Sequence, residues 1–354
     1  MVPAPEPTTM GENHLDTSHR TMSSLSPHPA VALYEPGEAV AAPLPVCDHY
    51  CGVEARMRKS LELQAELGPV FDVTLDAEDG APVGGEIEHA HLIAAMLAGE
   101  GNRFGRVGAR LLPIEHPHFA EVARIVLASA KAPAYLMLPK PRHVADIDLA
   151  AATISALGGH SVPLHALIET HGALQQVQAL AAHPRIESLS FGLMDFVSAH
   201  RGAIPASAMG ARGQFEHPLV LRAKLEISAA CHAHGKTPSH CVVAEFKHPS
   251  ALMEAASKAS RQFGYTRMWS IHPAQIRPIV DAFTPTVAEV DQAIEILAAA
   301  RVADWAPIQH RQTLHDRASY RYFWHLLQRA HATSYAGGPQ LPAEVRAAYF
   351  SGST

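Results

Sequence analysis

The sequence predicts an α/β fold, a closed (β/α)8 TIM barrel with a C-terminal helical extension. Three observations predict it. From residue 44 onward, short apolar runs alternate with longer amphipathic ones, the pattern of parallel strands joined by crossover helices. The unit recurs eight times in roughly 240 residues, the count and length of a closed barrel. Past residue 284 the alternation stops and helical spacing alone remains. Alternation by itself also fits an open doubly wound sheet; the eightfold repeat favours closure.

Residues 1–40 are rich in Pro, Ser, Thr, His and Glu and show no lasting periodicity, so they read as a mobile N-terminal tail. The barrel domain is assigned to 41–283. Its strands are expected at 44–49, 70–75, 107–112, 134–138, 162–168, 186–191, 240–244 and 267–271. Helices are expected between them at 53–67, 84–98, 118–130, 143–157, 171–182, 217–234 and 249–263. The extension covers 284–354. Thr286, followed three residues later by Glu289, forms a capping-box pattern that starts one helix. A second, at 315–330, carries Tyr320, Tyr322, Phe323, Trp324 and Leu327. Those aromatics serve either packing on the barrel or a contact between subunits.

Composition narrows the function classes. The 354-residue chain is 47% hydrophobic, enough for a sizeable core, and carries a formal net charge of -6 with both signs mixed throughout. A nucleic-acid partner is not expected, because phosphate binding needs concentrated basic surface. No apolar run approaches the ~20 residues of a membrane span, so no membrane partner is expected. The N-terminus lacks the basic-then-apolar order of a secretory signal. Four cysteines, Cys47, Cys51, Cys231 and Cys241, are too few for a disulfide framework and read as reduced thiols of a cytoplasmic protein.

Two acids stand out. Glu169 ends the apolar run 162–168, and Asp195 follows the run 186–191. A carboxylate at the mouth of a buried strand is unfavourable unless something pairs with it. Two of them, one βα unit apart, suit a shared Mg2+ or Mn2+ ion; helix caps or solvated loop acids are the plainer alternative. The strand at 70–75 runs into Asp76, Glu78 and Asp79 before Gly80. Acids this close raise one another's pKa unless cations intervene. They suit proton transfer, or the start of a helix. Arg110 can grip a carboxylate bidentately, stabilise developing negative charge, or partner one of those acids. Lys140 reads as an ion-pairing lysine, with a Schiff-base role as the alternative. The glycines at 99–108 precede a strand, whereas a dinucleotide fingerprint follows one. The paired histidines His89/His91, His116/His118 and His232/His234 lie on helices or loops, where alternate residues point apart.

Taken in order, these pieces resemble the HpcH/HpaI aldolase and citrate lyase beta-subunit superfamily. The carrying motifs are Leu75-Asp76-Ala77-Glu78-Asp79, Arg110, Leu138-Pro139-Lys140, Ile168-Glu169-Thr170, Phe191-Gly192-Leu193-Met194-Asp195 and Ile271-His272-Pro273-Ala274-Gln275. The resemblance covers residues 44 to 300. It implies a carbon–carbon lyase acting on a 2-oxo or hydroxy acid or its acyl-CoA thioester. It implies Mg2+ on Glu169 and Asp195, and a substrate held by Arg110 and by backbone N–H groups around Gly192 and Met194. It also implies a homo-oligomer, a trimer or a multiple of one. Asp79 stands where the aldolase branch carries a histidine base, so the chain looks closer to the citrate lyase branch. Asp79, Glu78 and His49 are the candidate bases. Relatives carry an aspartate-glycine segment after the barrel; here Asp304 lacks the glycine, and Asp316 matches only by residue type. Two alternatives accompany this reading, a non-catalytic acid-binding barrel and a Schiff-base aldolase using Lys140.

Overall fold

The computed structural model describes residues 27–35, 43–81 and 83–351. Eight parallel strands close in sequence order: β1 (Cys47–Cys51), β2 (Phe71–Asp76), β3 (Val107–Arg110), β4 (Leu136–Leu138), β5 (Leu164–Ile168), β6 (Ile186–Phe191), β7 (Thr237–His240) and β8 (Arg267–Ser270). Pairing of Cys47 with Met268 and of His49 with Ser270 seals the barrel. The open-sheet alternative is thereby removed. Helices such as Glu54–Leu67, Pro218–Ala233 and Pro249–Gln262 cross between strands. Their apolar faces cover the outward-pointing strand residues, among them Phe71, Val73, Leu75 and Met268.

Strand parity divides the barrel. Residues of even parity on β1 and β2 point inward, and many are polar. At the floor, Arg267 donates to Asp72 (2.5 Å) and to the Pro45 carbonyl (2.8 Å), and sits 3.2 Å from Asp48. Arg106 forks onto Asp72 at 2.7 and 2.8 Å. Asp48 accepts from Thr74 (2.6 Å) and Tyr135 (3.0 Å). Gly108 makes room for Tyr135, because a Cβ there would lie 2.5 Å from the ring.

Two expectations are corrected. The seventh strand is Thr237–His240, not 240–244. Thr237, Pro238 and Ser239 carry no apolar signal because the inside of this barrel is polar. Proline is tolerated there near the start of a strand. The tail reading also fails for part of its span. Residues 27–35 contain a short helix, Pro29–Ala32, that docks on the extension. Leu33 is fully buried, and its carbonyl accepts from Arg317 and Arg321. The rest of 1–40, namely 1–26 and 36–40, lies outside the described residues.

The extension has a core of its own. Helices Val287–Val302, Arg317–Ala332 and Ala343–Phe350 bury Ile296, Leu297, Tyr320, Trp324, Leu327 and Tyr349 together with Leu33 and Tyr34. The capping box at Thr286 and Glu289 is present. Of the five side chains singled out on the second helix, Tyr322 alone is exposed. The other four serve packing, within the extension and not against the barrel, and Tyr322 remains open to a contact. A hairpin, Ile308–His310 with Thr313–His315, turns through Arg311 and Gln312 at φ 45° and 65°. Asp316 is spent as the N-cap of Arg317–Ala332, accepting from the N–H groups of Ala318 and Ser319.

Candidate active site

The sequence-predicted residues converge at the C-terminal mouth of the barrel. A cavity of about 390 Å3 is bordered by Asp79, Arg110, Glu169, Gly192, Met194 and Asp195. A neighbouring cavity of about 440 Å3 lies against Glu169, Asp195 and Lys140 and is lined further by Ile114, Arg142 and His171. The two carboxylates thus border both spaces.

Glu169 follows β5 and is 4% exposed. Its Oε1 accepts the Lys140 N–H at 2.8 Å. Gly192 makes this packing feasible, since a Cβ there would meet Glu169 Oε2 at 2.3 Å. Burial pushes the Glu169 carboxyl up to about 8, and the Asp195 charge adds to the shift. Asp195 sits in the first turn of the short helix Leu193–Ser198, with its side chain 45% exposed. Lys140 itself adopts φ 53°, the left-handed region uncommon for a non-glycine residue. Backbone strain of this kind gathers at sites that need a fixed geometry.

Opposite stands an ion-pair chain. Arg110 forks onto Asp76 at 2.6 and 2.5 Å, and its Nη1 lies 3.0 Å from Glu78. Lys140 Nζ meets Glu78 at 2.5 Å, Asp79 at 2.9 Å and Asp195 at 4.0 Å. Asp76 also takes the N–H groups of Glu78 (2.9 Å) and Gly80 (2.8 Å), which folds the acidic loop over the strand end. The chain holds five carboxylates, on Asp76, Glu78, Asp79, Glu169 and Asp195, against two cations, Arg110 and Lys140.

Access and basicity are divided between the candidate bases. Burial pushes the Glu78 carboxyl up, outweighing Arg110 and Lys140, but its side chain is only 5% exposed and is clamped between those cations. Burial also raises Asp79, yet the Lys140 bond and charge prevail and hold it below the usual carboxylate range. Asp79 is the one that faces the cavity. His49 borders the mouth, but its ring packs with Phe71 and bonds Ser270 Oγ at 2.9 Å, both of outward parity. Burial, then His272, pull its pKa down to about 4. The Lys140 amine is lowered by burial and raised further by Glu78 and Asp79, for a net upward shift. An ammonium so held is a poor nucleophile. Of the two backbone positions expected to face a substrate, Gly192 has its N–H bonded to the Ile168 carbonyl at 3.1 Å. Met194 lies in the first turn of its helix, where amides lack intrahelical acceptors.

Sequence reasoning missed Tyr50 and Trp269. They stack at 4.2 Å across the β1–β8 seam and wall the cavity, with Arg110 lying 5.3 Å over the Tyr50 ring. Strand parity was the available signal, since Tyr50 shares the inward face with Asp48. The four cysteines are free and buried. Among the described residues no helix is long and apolar enough to cross a membrane.

Comparison with known proteins agrees with this fold. No family model matches the chain. A citrate lyase crystal structure from Burkholderia xenovorans LB400 is 53% identical, with a TM-score of 0.78, and the match covers 92% of this chain and 99% of that one. An L-malyl-CoA/beta-methylmalyl-CoA lyase of Cereibacter sphaeroides is 27% identical over 253 residues, 65% of this chain and 77% of the relative. A (3S)-malyl-CoA thioesterase of the same species is 28% identical over 235 residues, 66% of this chain and 75% of the relative. The protein CitE of Mycobacterium tuberculosis, solved with magnesium, acetoacetate and coenzyme A, shares the fold at 20% identity, with a TM-score of 0.63 over 82% of this chain and 99% of that one. On this evidence the chain belongs to the HpcH/HpaI aldolase and citrate lyase beta-subunit superfamily.

Proposed function

We propose that the protein is a magnesium-dependent carbon–carbon lyase that cleaves a hydroxy acid, or its acyl-CoA thioester, and releases a carbonyl product. The observation that carries this reading is the surplus of negative charge at the mouth. Five carboxylates face three cations there, Arg110, Lys140 and the exposed Arg56 on the cavity wall, and one of the five is so poorly solvated that its pKa is pushed up to about 8. A divalent ion restores the balance. Among the described residues no three His, Cys, Asp or Glu side chains gather as a metal cage. A site of two carboxylates completed by water and substrate is what Mg2+ favours, and Mn2+ also suits it. Glu169 and Asp195 would hold the ion. When bound, it supplies Lewis acidity toward negative charge developing on substrate oxygen.

The chain's own residues supply the remainder. Cleavage requires a hydroxyl on the carbon β to a carbonyl or thioester, and a base to remove its proton. Asp79 is assigned that proton, because it alone of the acidic-loop pair reaches the cavity. Glu78 braces Arg110 and Lys140. Arg110 keeps hydrogens on Nη1 and Nη2 beyond those given to Asp76 and Glu78, which leaves it able to bind a substrate carboxylate or share enolate charge. The Met194 amide is placed to receive a carboxylate oxygen. Tyr50 and Trp269 exclude water from one wall. Residues 41–283 carry this machinery, and 284–354 are assigned to a subunit contact in a homo-oligomer.

The malyl-CoA lyase relative supports a thioester substrate, and the thioesterase relative marks the competing outcome. The test is a panel of hydroxy acids and their CoA thioesters with Mg2+, scored for carbonyl product. Release of carbonyl that stops on chelation is expected. Free coenzyme A without carbonyl, or turnover that resists chelation and is trapped by borohydride on Lys140, would contradict the reading.

A further inference from the structure

Arg329 presents an unanswered charge. It is half-buried on helix Arg317–Ala332 and borders a cavity of about 400 Å3 between the barrel and the extension. Among the described residues nothing hydrogen-bonds its guanidinium. Burial pulls its pKa down, and the nearby Tyr322 and Glu289 do not make up the loss. Other arginines withdrawn from water are answered. Arg106 and Arg267 hold Asp72, Arg110 holds Asp76, and Arg185 donates to Ser155 and to the carbonyls of Gly159 and Val162. A guanidinium carries five donors, and leaving them partly desolvated without acceptors is unfavourable.

The wall of the cavity points to what would answer it. Arg261 enters from helix Pro249–Gln262, 3.1 Å from Glu289. Glu289 is the one carboxylate lining the cavity against two guanidiniums, so the space is net positive. Ser260 and Tyr322 add hydroxyl groups. The His325 ring is already engaged, with Gln328 at 3.1 Å and Tyr34 at 3.2 Å. The cavity is remote from the mouth. Arg261 and Phe283 stand at the C-terminal ends of barrel helices, which lie beside the starts of the strands.

We propose that this cavity is a second ligand site, for a small doubly charged oxyanion, with Arg329 as the main anchor and Arg261 as the second. Two arginine forks match the geometry of such an oxyanion. An occupant would tie the extension to the barrel and stabilise the folded chain by mass action. Inorganic phosphate is the probe, titrated into the full-length protein by calorimetry and in thermal melts, with chloride holding ionic strength constant. The expected result is saturable binding with a raised melting temperature, at least tenfold weaker in Arg329→Gln and intermediate in Arg329→Lys. Arg261→Gln, at a more exposed position, should weaken binding as well and serves if Arg329→Gln misfolds. Wild-type affinity in Arg329→Gln (or in Arg261→Gln, if that variant alone folds), or an equal shift with chloride, would overturn the proposal.

Discussion

The floor and the mouth of this barrel are both lined with acids and arginines, yet they differ in balance. At the floor, Asp48 and Asp72 meet Arg267 and Arg106, two against two, and the side chains of Asp48, Asp72 and Arg267 are fully buried. Tyr135 and Thr74 both donate to Asp48 Oδ1, and Asp48 Oδ2 lies 3.2 Å from Arg267 Nη2. At the mouth, acids outnumber cations, and Asp79 and Asp195 stay open to solvent. A buried network balanced in charge is a structural element, although Asp48 Oδ2 and Arg267 Nε and Nη2 lack hydrogen bonds within it. An unbalanced, half-open one is completed by something from outside. The contrast separates residues that hold the barrel together from those proposed to act.

The largest expected effect tests the mouth. Glu169→Ala or Asp195→Ala should lower Mg2+-dependent turnover by about a thousandfold or more, the several kcal/mol a catalytic ion contributes. Stability should hold or rise in Glu169→Ala, because an unfavourable buried carboxylate is removed. Near-normal turnover in either variant would erase the distinction between the two regions. The floor should answer in the opposite way. Arg267→Met leaves Asp48 and Asp72 buried with one cation fewer, and should lower unfolding free energy by about 3–5 kcal/mol. Its kcat per folded molecule should stay close to wild type. A denaturant titration alongside kinetics separates these outcomes.

A third buried cation sharpens the comparison. Lys224 is fully buried with Gln214 (2.7 Å), His240 (2.5 Å) and Cys241 (3.5 Å), and none of these is a carboxylate. Burial pulls its pKa down from 10.5 to about 8, against a smaller opposing pull from Cys241. The folded state then binds fewer protons than the unfolded state between those values. The contribution of Lys224 to stability should rise with pH from 8 toward 10.5, by about 3 kcal/mol at most, against the opposite trend of the thiols Cys47, Cys51, Cys231 and Cys241, whose pKa values burial raises. Lys224→Met should remove that rise from the pH profile, and a variant with the wild-type slope would show that the amine keeps its ordinary pKa in the fold. The smallest effect is steric. Gly192→Ala brings a Cβ to 2.3 Å from Glu169 Oε2, and should cost about 1–3 kcal/mol of stability. Turnover should fall further than that loss explains, because Glu169 must move.

Much of this was legible in the sequence, for identifiable reasons. The strands that read well, such as β5 and β6, place apolar residues on their outward face and end in Glu169 and just short of Asp195. β7 was misplaced because Ser239 points into a polar interior and Pro238 suggests a turn. Residues 27–35 read as tail because Leu33 and Tyr34 are too few to show periodicity; their partners are almost 300 positions away. Tyr50 and Trp269 meet only when β8 closes on β1, a contact no local pattern announces. The ordered motifs brought Glu169, Asp195, Arg110 and Asp79 to one mouth, whereas the division between Glu78 and Asp79 is a matter of exposure and emerged from three dimensions.

The most direct test of the central claim is calorimetric titration of Mg2+ into chelator-treated protein, wild type beside Asp195→Asn and Arg267→Met. The account predicts one saturable site per chain, lost when Asp195 is neutralised and kept when the floor is altered. Equal Mg2+ binding by wild type and Asp195→Asn, or no binding by wild type, would contradict it.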